Sequence, residues 1–295
     1  MKTDNIYKTS LLAAALLLAA TSCVKDELHD TPHPDTGKIT VTADWSDRGD
    51  GVDTPAKWTV TMGDYTGTET GTTHTPDYLF NPGNYTLAAY NNPEDITVRG
   101  AVATVAKAHG DAADLFISND MDWLFTSVQE VTVEADTDYE LTAAMHQQVR
   151  QLTLVIEPTG DAAGRIESIE GSLSGAAGTL DFATGTYGAA SDVALHFTKI
   201  TEGGDAGKWT ATVRLLGIAG DTQRLTATLT YADGNPADTS LESDLTAALA
   251  DFNSDKTVPL TLGGALVETP EETEFSGFEI TGWETVEGGD ASAEM

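Results

Sequence analysis

The chain has 295 residues, with 15 Lys+Arg against 47 Asp+Glu, a net charge of −32, 40% apolar residues and one Cys. That charge excludes a nucleic-acid partner, because a phosphate backbone would meet repulsion instead of neutralisation. A single Cys excludes a disulfide framework and a Cys-based zinc cluster, and the apolar share suffices for packed cores.

Residues 1–22 read as a signal peptide. Lys2 and Lys8 give a cationic start, and Leu11 to Ala20 is a run of Leu and Ala alone. A spanning helix needs about 20 apolar residues, so this run suits the apolar region of a signal instead. The run closes on Ala20-Thr21-Ser22-Cys23, which resembles the lipobox of bacterial lipoproteins. The resemblance implies cleavage before Cys23 and lipidation of its thiol. Two or three acyl chains anchor a protein stably where one alone is marginal. The following Lys25, Asp26 and Glu27 resemble the Lys-then-acidic export signal of surface lipoproteins in Gram-negative anaerobes. That implies display on the outer face of the outer membrane. Residues 23–37 form the lipidated terminus and a tether, since Leu28 to Gly37 holds Pro32 and Pro34 and no apolar period.

From Lys38 onward the dominant period is two, the signature of strands with one buried face. Ile39, Val41, Ala43 and Trp45 alternate with polar residues, as do Trp58, Val60 and Met62, then Tyr85, Leu87 and Ala89. Val131 and Val133, then Tyr139, Leu141, Ala143 and Met145, continue the pattern. A second set holds Leu152, Leu154 and Ile156; Trp209, Ala211, Val213 and Leu215; Leu225, Ala227, Leu229 and Tyr231; and Val258, Leu260 and Leu262. Leu241, Leu245, Ala248, Leu249 and Phe252 fall at helical spacing behind Thr239, which predicts a short amphipathic helix over Ser240 to Phe252. Ala112 to Ser118 reads as a helix or loop. The expectation is an all-β chain of two β-sandwich domains, 38–147 and 148–284, the helix in the second, closed by an acidic flexible tail at 285–295.

Several stretches resemble the fimbrillin-like lipoproteins, and within them the FimB-type fimbrial anchor and accessory proteins. Asn81-Pro82-Gly83-Asn84-Tyr85-Thr86-Leu87-Ala88-Ala89-Tyr90-Asn91 is similar to a strand of that family. Ile39 to Trp45 resembles its first strand, Val149 to Ile156 and Ile166 to Gly175 the start of its second domain, and Ile280 to Trp283 its last strand. What the resemblance implies is two tandem transthyretin-like sandwiches and an anchor or accessory role among fimbrial subunits joined by β-strand addition. In the family's stalk subunits an Arg-specific protease cuts just after the first strand. Arg48 lies three residues past Trp45 and is the candidate processing site. An anchor is expected to keep its first strand, which leaves Arg48 an uncut loop residue.

No nucleophile elbow, P-loop, dinucleotide fingerprint or HExxH metal motif is present, so no enzyme activity, cofactor or metal is expected. Asp44, Asp47, Asp50 and Asp53 read as a solvated acidic turn, and Arg48-Gly49-Asp50 spells an adhesion tripeptide within it. The competing function is a surface glycan-binding lipoprotein of a nutrient-uptake system, with Trp residues as sugar platforms.

Overall fold

The structure, a computed structural model, describes residues 35–109, 115–269, 278–280 and 282–286. Alternating side chains build the first core. Ile39, Val41 and Ala43 of β1 (Lys38–Asp44) are buried, and Lys38, Thr42 and Asp44 on its other face are exposed. β2 (Trp58–Met62) and β3 (Tyr65–Glu69) form a hairpin across Gly63-Asp64, where Gly63 takes the positive φ of 57° that a two-residue turn requires. Next come β4 (Thr73–His74), β5 (Gly83–Tyr90), β6 (Ile96–Arg99), β7 (Val102–Val105) and β8 (Phe116–Ile117). β9 (Phe125–Val133), β10 (Asp138–Ala144) and β11 (His146–Gln147) complete this part.

Two sheets enclose that core: one ordered β10-β1-β4, the other β11-β9-β5-β2-β3. β1 runs parallel to β10 through seven register pairs, Lys38↔Asp138 to Asp44↔Ala144, and antiparallel to β4. Trp45, Trp58, Phe80, Leu87 and Phe125 fill the space between the sheets.

The second part begins with β12 (Arg150–Thr159) and two long strands, β13 (Ile166–Asp181) and β14 (Thr186–Lys199). β15 (Trp209–Leu215), β16 (Arg224–Tyr231), β17 (Thr239–Asp244), β18 (Leu260–Glu268), β19 (Phe278–Glu279) and β20 (Glu284–Thr285) follow. Their order is β19-β17-β16-β13-β14-β15-β12-β18-β20, with β7 beside β13 and β8 beside β14. Strands from both ends of this network share one core: Leu152, Leu154 and Leu262 at one end, Leu173, Leu225 and Leu241 at the other. β13 bends where its register with β14 slips between Leu173 and Ala176. Gly175 sits there at φ 76°, and a Cβ would lie 2.6 Å from the Thr222 carbonyl, so only glycine fits.

The fold is thus nearly all-β, without a barrel, and no α-helix occurs among the described residues. The helix expected over Ser240 to Phe252 is replaced by β17, which pairs with β16 from Leu229↔Thr239 to Arg224↔Asp244, and by turns through Ser254. The inward face of β17 is Thr239, Leu241 and Ser243, all within 1% of full burial. Two of those three are polar, so the period of two is hidden and only the Leu spacing shows. Of Ala112 to Ser118, Phe116 and Ile117 form β8, and 112–114 lie outside the described residues. The excursion from Ile96 to Leu124 contributes Ile96, Ala103, Val105, Ile117, Met121 and Leu124 to the second core, not the first. Trp123 packs against both.

Candidate functional site

Cys23, Lys25, Asp26 and Glu27 lie outside the described residues. Arg48 does not. It stands in the loop that leaves β1, where Trp45 turns inward onto Phe125 with ring centroids 5.6 Å apart and planes at 82°. Asp44 accepts the Ser46 amide at 3.0 Å, and that bond holds its carboxyl below the usual carboxylate range. The Arg48 guanidinium donates through Nη1 to the Trp45 carbonyl at 2.8 Å and through Nε to the Val52 carbonyl at 3.1 Å. The Val52 amide donates to the Gly49 carbonyl at 3.1 Å. Arg48 is therefore a staple across its own loop, and the Arg48-Gly49-Asp50 tripeptide is a folded turn, not an extended ligand.

Gly49 ties this loop to the second part of the chain. Its buried amide donates to Gln147 Oε1 at 2.9 Å. A Cβ on Gly49 would lie 2.4 Å from the Thr257 carbonyl, a backbone atom that cannot swing aside. Gly49→Ala is expected to pry the loop from its seat at a cost of about 2–3 kcal/mol, through overpacking and loss of a buried hydrogen bond. Limited proteolysis should then cut at Arg48; a loop as resistant as in the wild type would show that this contact does not hold it.

Gln147 is the centre of the junction, with Nε2 donating to the Val149 carbonyl at 3.0 Å and the Lys256 carbonyl at 2.6 Å. The Lys256 ammonium donates to the Gln148 carbonyl at 2.7 Å and to the Leu216 carbonyl, and lies 4.7 Å from the centre of the Tyr187 ring. Burial, with the nearby Arg150 charge second, pulls its pKa down to about 7. Arg150 donates to the Val258 and Phe252 carbonyls at 2.7 and 2.9 Å and packs over the Phe252 ring. Around these groups opens a cleft of roughly 260 Å³ lined by Asp47, His146, Tyr187, Asn253, Ser254 and Asp255 among others.

The cleft holds an Asp47–His146 pair at 2.6 Å and a serine whose hydroxyl is engaged elsewhere. The Ser254 hydroxyl donates to the Asp251 carbonyl at 2.7 Å, and both polar atoms of the Asn253 amide are bonded to Ile218. No group of three or more His, Cys, Asp or Glu that could hold a metal ion occurs among the described residues. What these bonds do is weld the loop after β1 to the segment 251–258. Neither Gln147 nor Lys256 stands out in the sequence, because both lie in short aperiodic segments where burial of a polar group leaves no pattern.

The sheets leave strand edges unpaired among the described residues, and these are the surfaces on which a further chain could act. β3 closes one flank of the first core, and a bond of 2.6 Å between the Tyr65 hydroxyl and His74 seals it. β10, seven residues long, closes the other. No described helix is long and apolar enough to cross a membrane.

With this layout in hand, comparison with known families is decisive. Residues 59–287, from β2 to just beyond β20, match the family model of fimbrillin-A associated anchor proteins Mfa1 and Mfa2. The chain belongs to that family. No curated protein matches it. Among solved structures this anchor-family chain is similar to a candidate adhesin from Bacteroides ovatus (17% identity, TM-score 0.59, 88% of this chain and 97% of the other). It is also similar to a candidate polysaccharide-binding protein from Bacteroides thetaiotaomicron (11%, TM-score 0.54, 77% and 90%). A third is the fimbrial anchor protein Mfa2 from Porphyromonas gingivalis (14%, TM-score 0.53, 78% and 90%). At these identities the likeness speaks for the fold, and the family model carries the assignment.

Proposed function

We propose that this anchor-family protein is a lipoprotein of the outer-membrane surface, held by acyl chains on Cys23 and exported under Lys25, Asp26 and Glu27, that anchors or extends a fimbrium. In this reading the chain is two tandem transthyretin-like sandwiches, 38–147 and 148–284, with the excursion from Ile96 to Leu124 packed on the second core, and fimbrial subunits join it by β-strand addition. The observation that carries this reading is the place of β1, hydrogen-bonded on both sides between β10 and β4. A subunit whose own first strand fills the middle of its sheet has no groove there for a neighbour's strand. Arg48 stays uncut in this reading, because its staple and the Gly49–Gln147 bond keep the scissile peptide out of the extended form a protease needs.

Cys23→Ala is expected to move the protein from the membrane pellet to the soluble fraction; continued sedimentation with membranes would sink the lipid-anchor reading. Expressed with its neighbouring fimbrial subunits, the chain should form heat-resistant ladders on gels. Glycan binding is the second reading, favoured by Tyr78, which is 45% exposed and packs beside Tyr65 and Phe80. A monomer without ladders, slowed in a polysaccharide gel, would decide for that alternative.

A further inference from the structure

Among the described residues β10 leaves most of its outer edge open. The Lys38 amide donates to the Thr137 carbonyl at 3.0 Å and the Met145 amide to the Asp44 carbonyl at 2.8 Å, and the parallel register between these bonds is unbroken. In a parallel ladder alternate residues turn both backbone groups to the same neighbour. Tyr139, Leu141 and Ala143 therefore spend their amides and carbonyls on β1, and Asp138, Glu140, Thr142 and Ala144 point theirs away from it. Among the described residues no strand takes them up. Only the Thr142 carbonyl has a partner there, the Gln129 side-chain amide at a long 3.4 Å.

The apolar side of the same strand is also unfinished. Tyr139 and Leu141 pack against the first core but are only partly buried at its margin, whereas Val131 and Val133 on the adjacent β9 are buried. Natural edges are guarded by Lys, Pro, bulges or shortness. β10 has none of these in its seven residues, DYELTAA, and its only guards are the charges of Asp138 and Glu140. Its solvent side carries Asp138 and Glu140, on a chain of net charge −32. A second copy of this chain would bring a further net charge of −32 to that edge, which disfavours self-pairing.

We infer that the outer edge of β10 is the docking site for an extended segment of a fimbrial partner whose apolar residues alternate with basic ones. The inference rests on the strand-addition reading above and names its place. The incoming apolar side chains cover Tyr139 and Leu141, the incoming backbone pairs with residues 138, 140, 142 and 144 and displaces Gln129, and the basic side chains meet Asp138 and Glu140. The carboxylates thereby select against acidic strands, and the net charge of −32 disfavours a second copy.

Proline tests this without breaking the fold, because it is tolerated on an edge strand where its missing N–H faces outward. Glu140→Pro removes an outward amide and leaves the ladder to β1 whole, and Thr68→Pro blocks the edge of β3 in the same way. The probe is a fluorescent nine-residue peptide with Ile or Val at odd positions and Lys or Thr at even ones, titrated into the full chain. Anisotropy should report binding that weakens at least tenfold in Glu140→Pro and is unchanged in Thr68→Pro, with equal melting temperatures for all three proteins. Glu140→Lys should weaken the basic peptide and admit one with Glu in place of Lys. Equal affinity in Glu140→Pro, loss in Thr68→Pro alone, no binding by the wild type, or concentration-dependent dimers lost in Glu140→Pro would each overturn the assignment. Strand addition itself falls only if the heat-resistant ladders with fimbrial subunits are also absent.

Discussion

Replacing Val60 with Asp is expected to unfold the first core. Val60 is 2% exposed at the centre of β2, paired with Gly67 on one side and Ala89 on the other. Its neighbours in the core are apolar, among them Val41, Trp58 and Leu87, so a carboxylate placed there has no cation to meet. An uncompensated buried charge costs about 3–5 kcal/mol, against a typical domain stability of about 5–15 kcal/mol. The expected outcome is a first thermal transition lowered by roughly 10 °C or lost, with the transition of the second core retained. Val60 lies on the family-matched segment, but the expected loss comes from burial alone. A variant with unchanged melting would mean that Val60 faces solvent and that β2 is one residue out of phase.

Lys256 should make stability depend on pH in a direction opposite to that of acid-stabilised proteins. Its pKa is about 7 in the folded chain against about 10.4 for an unfolded lysine, because burial opposes the charge and Arg150 adds a like charge. The two carbonyl acceptors and the Tyr187 ring offset part of that cost, and burial prevails. Between those values the unfolded chain holds a proton that the folded chain does not. Stability therefore rises as pH climbs from about 7 to about 10, by at most about 1.4 kcal/mol per pH unit. Below pH 7 both states are protonated and the contribution is flat. The groups that face Lys256 across the cleft, His146, Asp47 and Asp255, are common to the variant Lys256→Met, so the difference between the two denaturation curves isolates this amine. A slope identical in wild type and Lys256→Met would show that the ammonium stays charged at its seat between Gln148 and Leu216.

Much of this architecture was readable because half-buried strands write their burial into alternate positions. Ile39, Val41 and Ala43, or Leu152, Leu154 and Ile156, are buried as their spacing requires, and Trp45, Trp58 and Trp209 lie in the cores they were phased with. The segment after Thr239 misleads for a definite reason. Leu245, Leu249 and Phe252 are buried, but by turns, with a single helical bond from the Leu249 amide to the Leu245 carbonyl at 2.9 Å. The same spacing serves a helix face and a compact loop pressed on a core. Pairing over long distance leaves even less trace. Nothing local marks Val102 to Thr104 for a place beside Thr179 to Asp181, since the partners are chosen by the surface each leaves uncovered. The junction was hidden for a related reason. Gln147 and Lys256 act through backbone carbonyls, which every residue type supplies.

The neighbourhood of β1 and β10 has a mechanical consequence. Were the chain held through Cys23 as proposed, a pull from that side would enter at Lys38, the first residue of β1, and run along the strand. β10, the strand proposed to carry the load onward, is its immediate parallel neighbour across seven register pairs. Tension would thus cross one ladder in shear, where the bonds resist together, and would not peel them one after another. Slip of that ladder would also draw Ile39, Val41 and Ala43 past the first core, so survival under drag would be set by the rate at which ladder and core yield together, a kinetic property that thermal melting does not report.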